Sequence, residues 1–371
     1  MNREKVIIRT SFVGIAANIV LVALKMVFGV IAGSLSFISD AINNLTDALS
    51  SIITIIGTKL SNKKPDAKHP FGHGRVEYIT SFIIGVIIIV AGVSAIREAI
   101  EGFINPSDAK YDLWSFIVVS AAILIKILLG IFFRIMGKKV NSASLSASGL
   151  DALLDSILTF STLVGAIVSY FWGVSIENYL SITIGLFIIR SGVGVLRESV
   201  ATLIGTKGDA DLVQSIYKLI RETPEVKGVY DVIMHDYGPN RTIASVHIEV
   251  DDSLKATDIH RITRQITEKV FMQYGIILTV GIYASNTEDV RYAQIKEDLF
   301  AIIREKKDIL QIHGFYVDEK NKNISFDLVL DFKSKNPEET VFDIRERISK
   351  KYPDYNFNII VDSDFVGLDS K

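Results

Sequence analysis

The stretch SDAINNLTDALS, residues 39–50, places two carboxylates and two amides inside a long apolar segment of the chain. Asp40, Asn43 and Asp47 follow the spacing i, i+3, i+7, which puts all three on one stripe of an α-helix. Asn44 lies about 100° round the helix from Asn43, and we interpret it as a packing or hydrogen-bonding residue. The stretch therefore predicts an apolar helix with one polar stripe.

Composition divides the chain into an apolar part and a charged part. Of the 371 residues, 49% are hydrophobic, and the long apolar runs precede the more charged remainder. The net charge of −2 argues against a nucleic-acid-binding protein, which usually presents a basic face. The absence of cysteine excludes disulfides, thiolate metal sites and cysteine nucleophiles. We therefore expect a membrane domain followed by a soluble domain.

An α-helix needs about 20 apolar residues to cross a bilayer, and six segments of the chain reach this length. They are residues 8–31, 35–58, 78–100, 113–136, 145–170 and 177–200. The basic start MNREKVIIRTSFVG has no small-residue cleavage site after its apolar run, so it is interpreted as the approach to a retained first helix. Lys and Arg concentrate on the side that holds both termini, and the positive-inside rule makes that side cytoplasmic. Residues 1–205 are therefore predicted to form a six-helix, multi-pass domain of the cell membrane.

A second polar pair lies in the fifth apolar segment, within SGLDALLDS at residues 148–156. Asp151 and Asp155 are i, i+4 partners and share one helix face. With a rise of about 1.5 Å per residue, this pair and the pair of Asn43 with Asp47 both fall near the middle of a core about 30 Å thick. A carboxylate at that depth costs roughly 2.5–3.5 kcal/mol on insertion scales. Three of them therefore need a cation, a proton or an aqueous path.

Two interpretations of these four side chains stand side by side. They could be interhelical hydrogen-bonding groups, or carboxylates that burial keeps protonated. Four converging oxygen donors without an evident basic partner favour a cation site instead. Lys25 and Lys126 also lie in apolar segments, and both are interpreted as snorkelling or pairing residues because an ammonium group cannot coordinate a metal.

The remainder of the chain follows a different, mixed pattern. A helical pattern, two alternating strand-like runs, a further helix and a last strand give the order αββαβ over residues 206–288. The same order recurs over residues 289–371, which predicts two tandem copies of one ferredoxin-like α+β module. Such a tail is usually a dimerisation or regulatory element, and a plain solubility domain is the alternative.

Taken together, these features resemble the cation diffusion facilitator family of divalent-metal transporters. The resemblance is carried by SDAINNLTDALSS, DAKHPFGHGRVE and SGLDALLDS, by the six apolar segments and by the αββαβ tail, and it covers residues 1 to about 285. It implies a metal site built from Asn43 and Asp47 on the second helix with Asp151 and Asp155 on the fifth. It also implies alternating-access exchange of metal for protons by a homodimer, with no enzymatic activity and no required cofactor. Asp40, one turn nearer the outside, is interpreted as part of an exit path.

The donor atoms indicate which metal is carried. Zinc-transporting members of the family usually have a histidine at the position of Asn43 or Asp151, whereas all four expected ligands here are oxygens. Carboxylate and amide oxygens suit harder ions such as Mn²⁺, so the chain resembles the manganese-exporting branch. Zn²⁺, Fe²⁺ and Cd²⁺ stay open as alternatives. Without an imidazole, one of the three aspartates would take the returning proton.

A loop after the second helix, PDAKHPFGHG, carries Asp66, His69 and His73. Their spacing suits a site of one carboxylate and two imidazoles, and the resemblance implies that these positions can bind a second metal. The alternative is a glycine-bearing turn with solvated histidines.

The tail histidines give a weaker indication. His235, His247 and His260 match family positions that bind metal where soluble domains dimerise. The last strand, however, has Gly281 and Tyr283 where metal-binding members carry a histidine and an aspartate. We therefore expect at most one weaker tail site. A further histidine, at position 313, is interpreted as a lone structural residue.

Two features depart from the family pattern, and two other functions compete with transport. Gly205 stands where many members have an aspartate, and residues 291–371 lie outside the usual extent of the family. An intramembrane aspartyl protease would need Gly-x-Gly-Asp and Tyr-Asp pairs, and neither catalytic pairing occurs within the apolar segments. A membrane-anchored metal sensor, with the tail as its signalling part, stays open.

Overall fold

The computed structural model describes residues 3–32, 35–104, 113–172, 176–239 and 241–365. Contacts divide the chain into two compact units. One unit comprises Met1–Gly205 with Tyr237–Asn240, and the other comprises Thr206–Asp236 with Arg241–Lys371. The division at Gly205 falls where the composition of the chain changes, and the predicted domain bounds stay a prediction.

Long helices make up the first unit. They are α1 (Arg3–Ala32), α2 (Leu35–Ser61), α3 (Val76–Ile104), α4 (Leu113–Lys139), α5 (Ala143–Trp172) and α6 (Glu177–Ile204). They pack chiefly as three pairs, α1 with α2, α3 with α6 and α4 with α5. α2 also contacts α5, and Lys126 of α4 donates to Asp47 of α2 and Asp155 of α5.

Four segments of the described helices are long and apolar enough to cross a membrane. They are Arg3–Val27, Val76–Ile104, Phe116–Lys139 and Asn178–Ile204. α2 and α5 are not among them, and these two helices carry Asp47, Asp151 and Asp155. The membrane character of the unit is therefore evident, whereas a full set of six spans stays a prediction.

Glycines allow α3 and α6 to approach closely. Gly85 and Gly92 on α3 face Gly192 and Gly185 on α6. A Cβ added at Gly185 would lie 3.0 Å from the carbonyl oxygen of Gly92, and one at Gly192 would lie 3.1 Å from that of Gly85. Small residues at such crossings let helix backbones pack in lipid, where no hydrophobic force drives helices together.

A buried ion pair fixes the start of α1. The Arg3 guanidinium donates through Nη2 to both carboxylate oxygens of Glu77, each at 2.7 Å, and Glu77 is fully buried. Arg3 also donates to the carbonyl oxygens of Val140 and Asn141. One side chain therefore joins the beginnings of α1 and α3 to the turn between α4 and α5.

The second unit begins with a small α+β module. Its elements are α7 (Ala210–Arg221), β1 (Gly228–Asp236), β2 (Thr242–Asp251), α8 (Ala256–Tyr274) and β3 (Ile277–Ser285). The Asp209 carboxylate caps α7 by accepting from the backbone amides of Asp211 and Leu212. β2 alternates buried and partly exposed residues, so that one face of the sheet packs against α7 and α8 around a core that includes Ile216, Ile248 and Ile262.

A second module of the same element order follows. It consists of α9 (Val290–Arg304), β4 (Ile309–Asp318), β5 (Asn323–Leu330), α10 (Pro337–Lys351) and β6 (Asn356–Ser363). In each module the first two strands are antiparallel and the last two are parallel, with the second strand in the middle of the sheet. The second module has its own core, which includes Leu299, Phe326 and Ile344.

The Arg3 ion pair generates the first prediction. Glu77→Ala leaves the Arg3 guanidinium without its buried counter-charge, so we expect a loss of about 3–5 kcal/mol of stability. The unfolding temperature of the full chain in detergent measures this loss. The matched control is Glu101→Ala, which removes the exposed partner of Arg97 at 2.7 Å and should leave the unfolding temperature unchanged. Equal effects of the two substitutions would show that burial does not set the strength of the Arg3 pair.

Candidate metal centres

The carboxylates of α2 and α5 meet at a lysine of α4. Lys126 Nζ donates to Asp47 Oδ2 at 2.8 Å and to Asp155 Oδ2 at 2.6 Å. The lysine side chain is 7% exposed, and the two carboxylates are 18% and 19% exposed. The expectation that these carboxylates lack a basic partner is therefore wrong. The interpretation of Lys126 as a pairing residue agrees with these contacts.

The third carboxylate, Asp151, lines a small cavity together with Asp47 and Lys126. Asp151 is 5% exposed and lies with Asp47 and Lys126 around this cavity. The other residues lining it are Asn18, Ser50, Ser51, Leu129, Phe133, Ser148 and Ala152. A buried contact of 3.2 Å between the hydroxyls of Thr54 and Ser148 also joins α2 to α5 nearby. Asp47 of α2 and Asp151 of α5 thus line one cavity, and Asp155 is connected to them through Lys126.

Two buried amides accompany these carboxylates. Asn18 of α1 is 4% exposed, and its Oδ1 has no hydrogen-bond partner among the described residues. Asn44 is fully buried, and within the same part of the chain neither of its amide atoms has a partner. The interpretation of Asn44 as a packing or hydrogen-bonding residue stays a prediction. The site predicted from the sequence does not include Asn18. An amide inside the apolar run of α1 could have indicated it.

Two predicted residues of α2 lie outside this description. The helix backbone is described at Asp40 and Asn43, but their side chains are outside the described residues. The expected ligand role of Asn43 and the expected exit-path role of Asp40 stay predictions.

The loop between α2 and α3 brings its three predicted residues together. Candidate ligand atoms of Asp66, His69 and His73 all lie within 4.8 Å of one another. Asp66 Oδ1 accepts from the backbone amides of Lys68 and His69, at 3.1 and 2.8 Å, and so shapes the turn. The side chain of Lys63 and the backbone amide of His69 hold the pKa of Asp66 well below its usual range. The carboxylate is therefore charged at neutral pH beside two imidazoles.

The tail histidines taken from the family pattern are spread over the first module. His235 is exposed near the end of β1, and His260 is exposed on α8. His247 on β2 instead lies with Nδ1 2.9 Å from Asp231 Oδ2, and this carboxylate raises the pKa of its imidazole. Two clusters of three potential ligands occur in the described ranges, and neither contains His235, His247 or His260. A metal site shared by these three histidines stays a prediction.

The positions that depart from the family motif have structural roles here. A Cβ added at Gly281 would lie 2.2 Å from Cδ2 of His247, so this glycine makes room for the imidazole. The Tyr283 hydroxyl donates to Asp231 at 3.0 Å and to Asp327 at 2.7 Å. The side chain that replaces the family aspartate therefore joins carboxylates of the two modules.

Sequence reasoning misjudged His313. It is 3% exposed, and its Nε2 lies 3.0 Å from Asp231 Oδ2 and 3.8 Å from Asp327 Oδ2. The interpretation as a lone histidine is wrong because its neighbours come from other strands, one of them in the other module. No local spacing in the sequence signals this arrangement.

Comparisons with known proteins give results for both units. Residues 11–204 match the model described as the cation efflux transmembrane domain, and residues 209–282 match that of the cation efflux protein cytoplasmic domain. An uncharacterized transporter of Methanocaldococcus jannaschii is 30% identical over 67% of this chain and 87% of its own length. Both matched ranges end before the second αββαβ module, which begins with α9.

Two relatives with more specific names are also similar to the chain. The manganese efflux system protein MneP of Bacillus subtilis is 26% identical over 76% of this chain and 97% of its own length. A cadmium, cobalt and zinc/H(+)-K(+) antiporter of Bacillus velezensis is 26% identical over 72% of this chain and 84% of its own length. Similarity at this level extends to relatives with different metals in their names.

Proposed function

The chain belongs to the cation diffusion facilitator family of cation efflux transporters, and from this premise we propose that it exports Mn²⁺ in exchange for protons. It works by alternating access, as a homodimer in the cell membrane. The observation that carries the proposal is a set of three aspartates beside Lys126: Asp47 and Asp151 line one cavity with it, and Asp155 accepts a hydrogen bond from its ammonium group. Export of Zn²⁺ or Fe²⁺ by the same mechanism is the alternative.

The chemistry of the donors supports manganese. The three carboxylates, with Asn43 as the proposed fourth ligand, offer only oxygen atoms, and hard oxygen ligands suit Mn²⁺ better than Zn²⁺. The manganese efflux relative agrees with this choice, whereas the cadmium, cobalt and zinc relative, at the same 26% identity, agrees with the zinc alternative. Affinity alone would still follow the Irving–Williams order, so selectivity rests on geometry and metal availability.

The proposed topology has six spans and both termini in the cytoplasm. Four helical segments support it by length and hydropathy, and α2 and α5 pack among them. Membrane helices that carry carboxylates turn them towards the interior of the bundle, away from lipid. The pairing of Asp47 and Asp155 with Lys126 is an arrangement of this kind.

Lys126 gives the transport cycle a resident counter-ion. Its ammonium group occupies the space between Asp47 and Asp155, where it neutralises charge that would be costly without a cation. A divalent ion that binds the same carboxylates must displace this ammonium group. We expect Lys126 to return when the metal leaves, so that the two carboxylates are paired in both states. One of the three aspartates would carry the returning proton.

The cytoplasmic parts have supporting roles in this proposal. The cluster of Asp66, His69 and His73 would capture a metal ion before transport or bind a regulatory one, because its ligand atoms are already gathered. The first tail module matches the family domain that suggests dimerisation. We take the second module to be a copy of the first that enlarges this soluble part.

Metal flux into reconstituted vesicles tests the transport site. Asp47→Ala and Asp155→Ala each remove a carboxylate ligand, so we expect Mn²⁺ flux to fall to the level of protein-free vesicles. The matched control, Glu198→Gln, neutralises an exposed carboxylate of α6 and should leave the flux unchanged. Undiminished flux in both alanine variants would rule out this site.

Selectivity is tested by presenting Mn²⁺, Zn²⁺, Fe²⁺ and Cd²⁺ separately to the same vesicles. The wild-type protein should move Mn²⁺, and Asp151→His should shift the preference towards Zn²⁺ because imidazole suits the softer ion. Zinc flux without manganese flux in the wild type would contradict the choice of metal. An unchanged profile in the histidine variant would show that selectivity lies elsewhere.

The counter-ion role of Lys126 has its own test. Lys126→Met removes the cation that competes for Asp47 and Asp155, so Mn²⁺ affinity in detergent should rise at least about tenfold, equivalent to about 1.4 kcal/mol. Flux should fall, because no ammonium group replaces the departing metal. Lys126→Arg retains the charge and should show the smaller change in affinity. Weaker Mn²⁺ binding in the methionine variant would contradict competition.

A further inference from the structure

The two tail modules meet through equivalent positions of their sheets. In the first module Tyr230 pairs with His247 just before a bulge in β1, and in the second His313 pairs with Asp327 just before a bulge in β4. The rings of Tyr230 and His313 stack on one another, with centroids 5.0 Å apart and planes 19° apart. Two equivalent residues therefore lie face to face at the centre of the contact between the modules.

The bulges contribute to this contact on both sides. Asp231 and Gly314 follow the paired residues, and both have a positive φ, of 52° and 65°. An aspartate in this conformation is uncommon, and such backbone strain concentrates at functional sites. A Cβ added at Gly314 would lie 2.9 Å from the Tyr283 ring. Asp362, which the strand registers make equivalent to Tyr283, comes close to Asp231 in the corresponding way.

These positions gather three potential metal ligands from both modules. One ligand atom each from Asp231, His313 and Asp362 lies within 4.8 Å of the others. Asp231 is on β1, His313 on β4 and Asp362 on β6, so no single strand or module contains the set. Two carboxylates and one imidazole are a donor set that divalent first-row transition metals accept.

The buried histidine indicates that this cluster is more than a group of acids. His313 is 3% exposed, and neither of its ring nitrogens makes a hydrogen bond of acceptable geometry within the described part of the chain. Nε2 nevertheless lies 3.0 Å from Asp231 Oδ2, so the ring is aimed at the carboxylate. A buried polar group without a good partner costs free energy, and coordination of a cation would remove that cost.

The surrounding residues support the ligand oxygens. Tyr283 donates its hydroxyl proton to both Asp231 and Asp327, and His247 contacts Asp231 from the other side. Such outer hydrogen bonds orient the carboxylates that bind a metal.

We propose that Asp231, His313 and Asp362 bind one divalent transition-metal ion between the two tail modules. The site lies outside the membrane unit and uses the second module, which neither family model covers. Binding would connect a strand of the first module to two strands of the second, and so fix the contact between them. The proposal does not depend on which ion the membrane domain carries.

Zinc binding to the full chain in detergent tests this site. Zn²⁺ is the probe because it binds more tightly than Mn²⁺ to most sites with nitrogen and oxygen ligands. The background variant carries Asp47→Asn and Asp66→Asn, which weaken the membrane and loop sites. We expect bound zinc after equilibrium dialysis, with an affinity that falls at least about tenfold, or 1.4 kcal/mol, in Asp362→Asn.

The matched control is Asp354→Asn, which changes an exposed aspartate of the same module and should leave zinc affinity unaltered. His313→Gln is the second variant, because it removes a ligand of a different kind from another strand. Unfolding curves without metal identify any variant that fails to fold. Unaltered zinc affinity in folded Asp362→Asn or in folded His313→Gln overturns the proposal. Absence of Mn²⁺ transport by the wild-type protein in vesicles, with zinc binding at the tail site intact, would overturn only the proposed function.

Discussion

Charge neutralisation in a low-dielectric interior is the constraint on which the membrane unit depends. Lys126 meets it by donating to Asp47 and Asp155 at once, so α4 holds the polar faces of α2 and α5 together. Neither carboxylate could stay ionised at that depth without a cation, because burial of an unpaired charge costs several kcal/mol. Under the proposed function, a metal ion takes the place of the ammonium group as the neutralising cation.

The tail meets the same constraint with different groups. Buried Asp231 lies within 3.0 Å of two imidazole nitrogens and a tyrosine hydroxyl, with no lysine among these neighbours. A neutral imidazole has a nitrogen lone pair that can coordinate a metal, whereas a protonated lysine has none. Under the two proposals, the pocket in the membrane unit exchanges cations, whereas the cluster in the tail retains one.

Departures from the family pattern have structural explanations in the tail. Gly281 leaves space for His247, and Tyr283 extends to Asp327 of the second module. A histidine at position 281 could not be accommodated without moving His247. The second module thus contributes to a polar cluster. The members of this cluster from the first module include Tyr283 and His247, which lies against Gly281. The loss of the family ligands and the presence of the added module are parts of one arrangement.

Much of the fold follows from the sequence because secondary structure has a local period. The spacing of Asp151 and Asp155 gives one helix face, and alternation along β2 gives one buried sheet face, without knowledge of any partner. The compact loop cluster around Asp66 was predictable for the same reason, since its ligands are neighbours in the chain.

What the tertiary structure alone decided involves residues far apart in the chain. Lys126 is 79 residues from Asp47, and its ammonium group finds that carboxylate only after α2, α4 and α5 have packed. His313 lacks ligand spacing along β4, yet it meets Asp231 because two modules pack through their bulges. Sequence patterns specify which face of an element is polar, whereas packing specifies which polar faces meet.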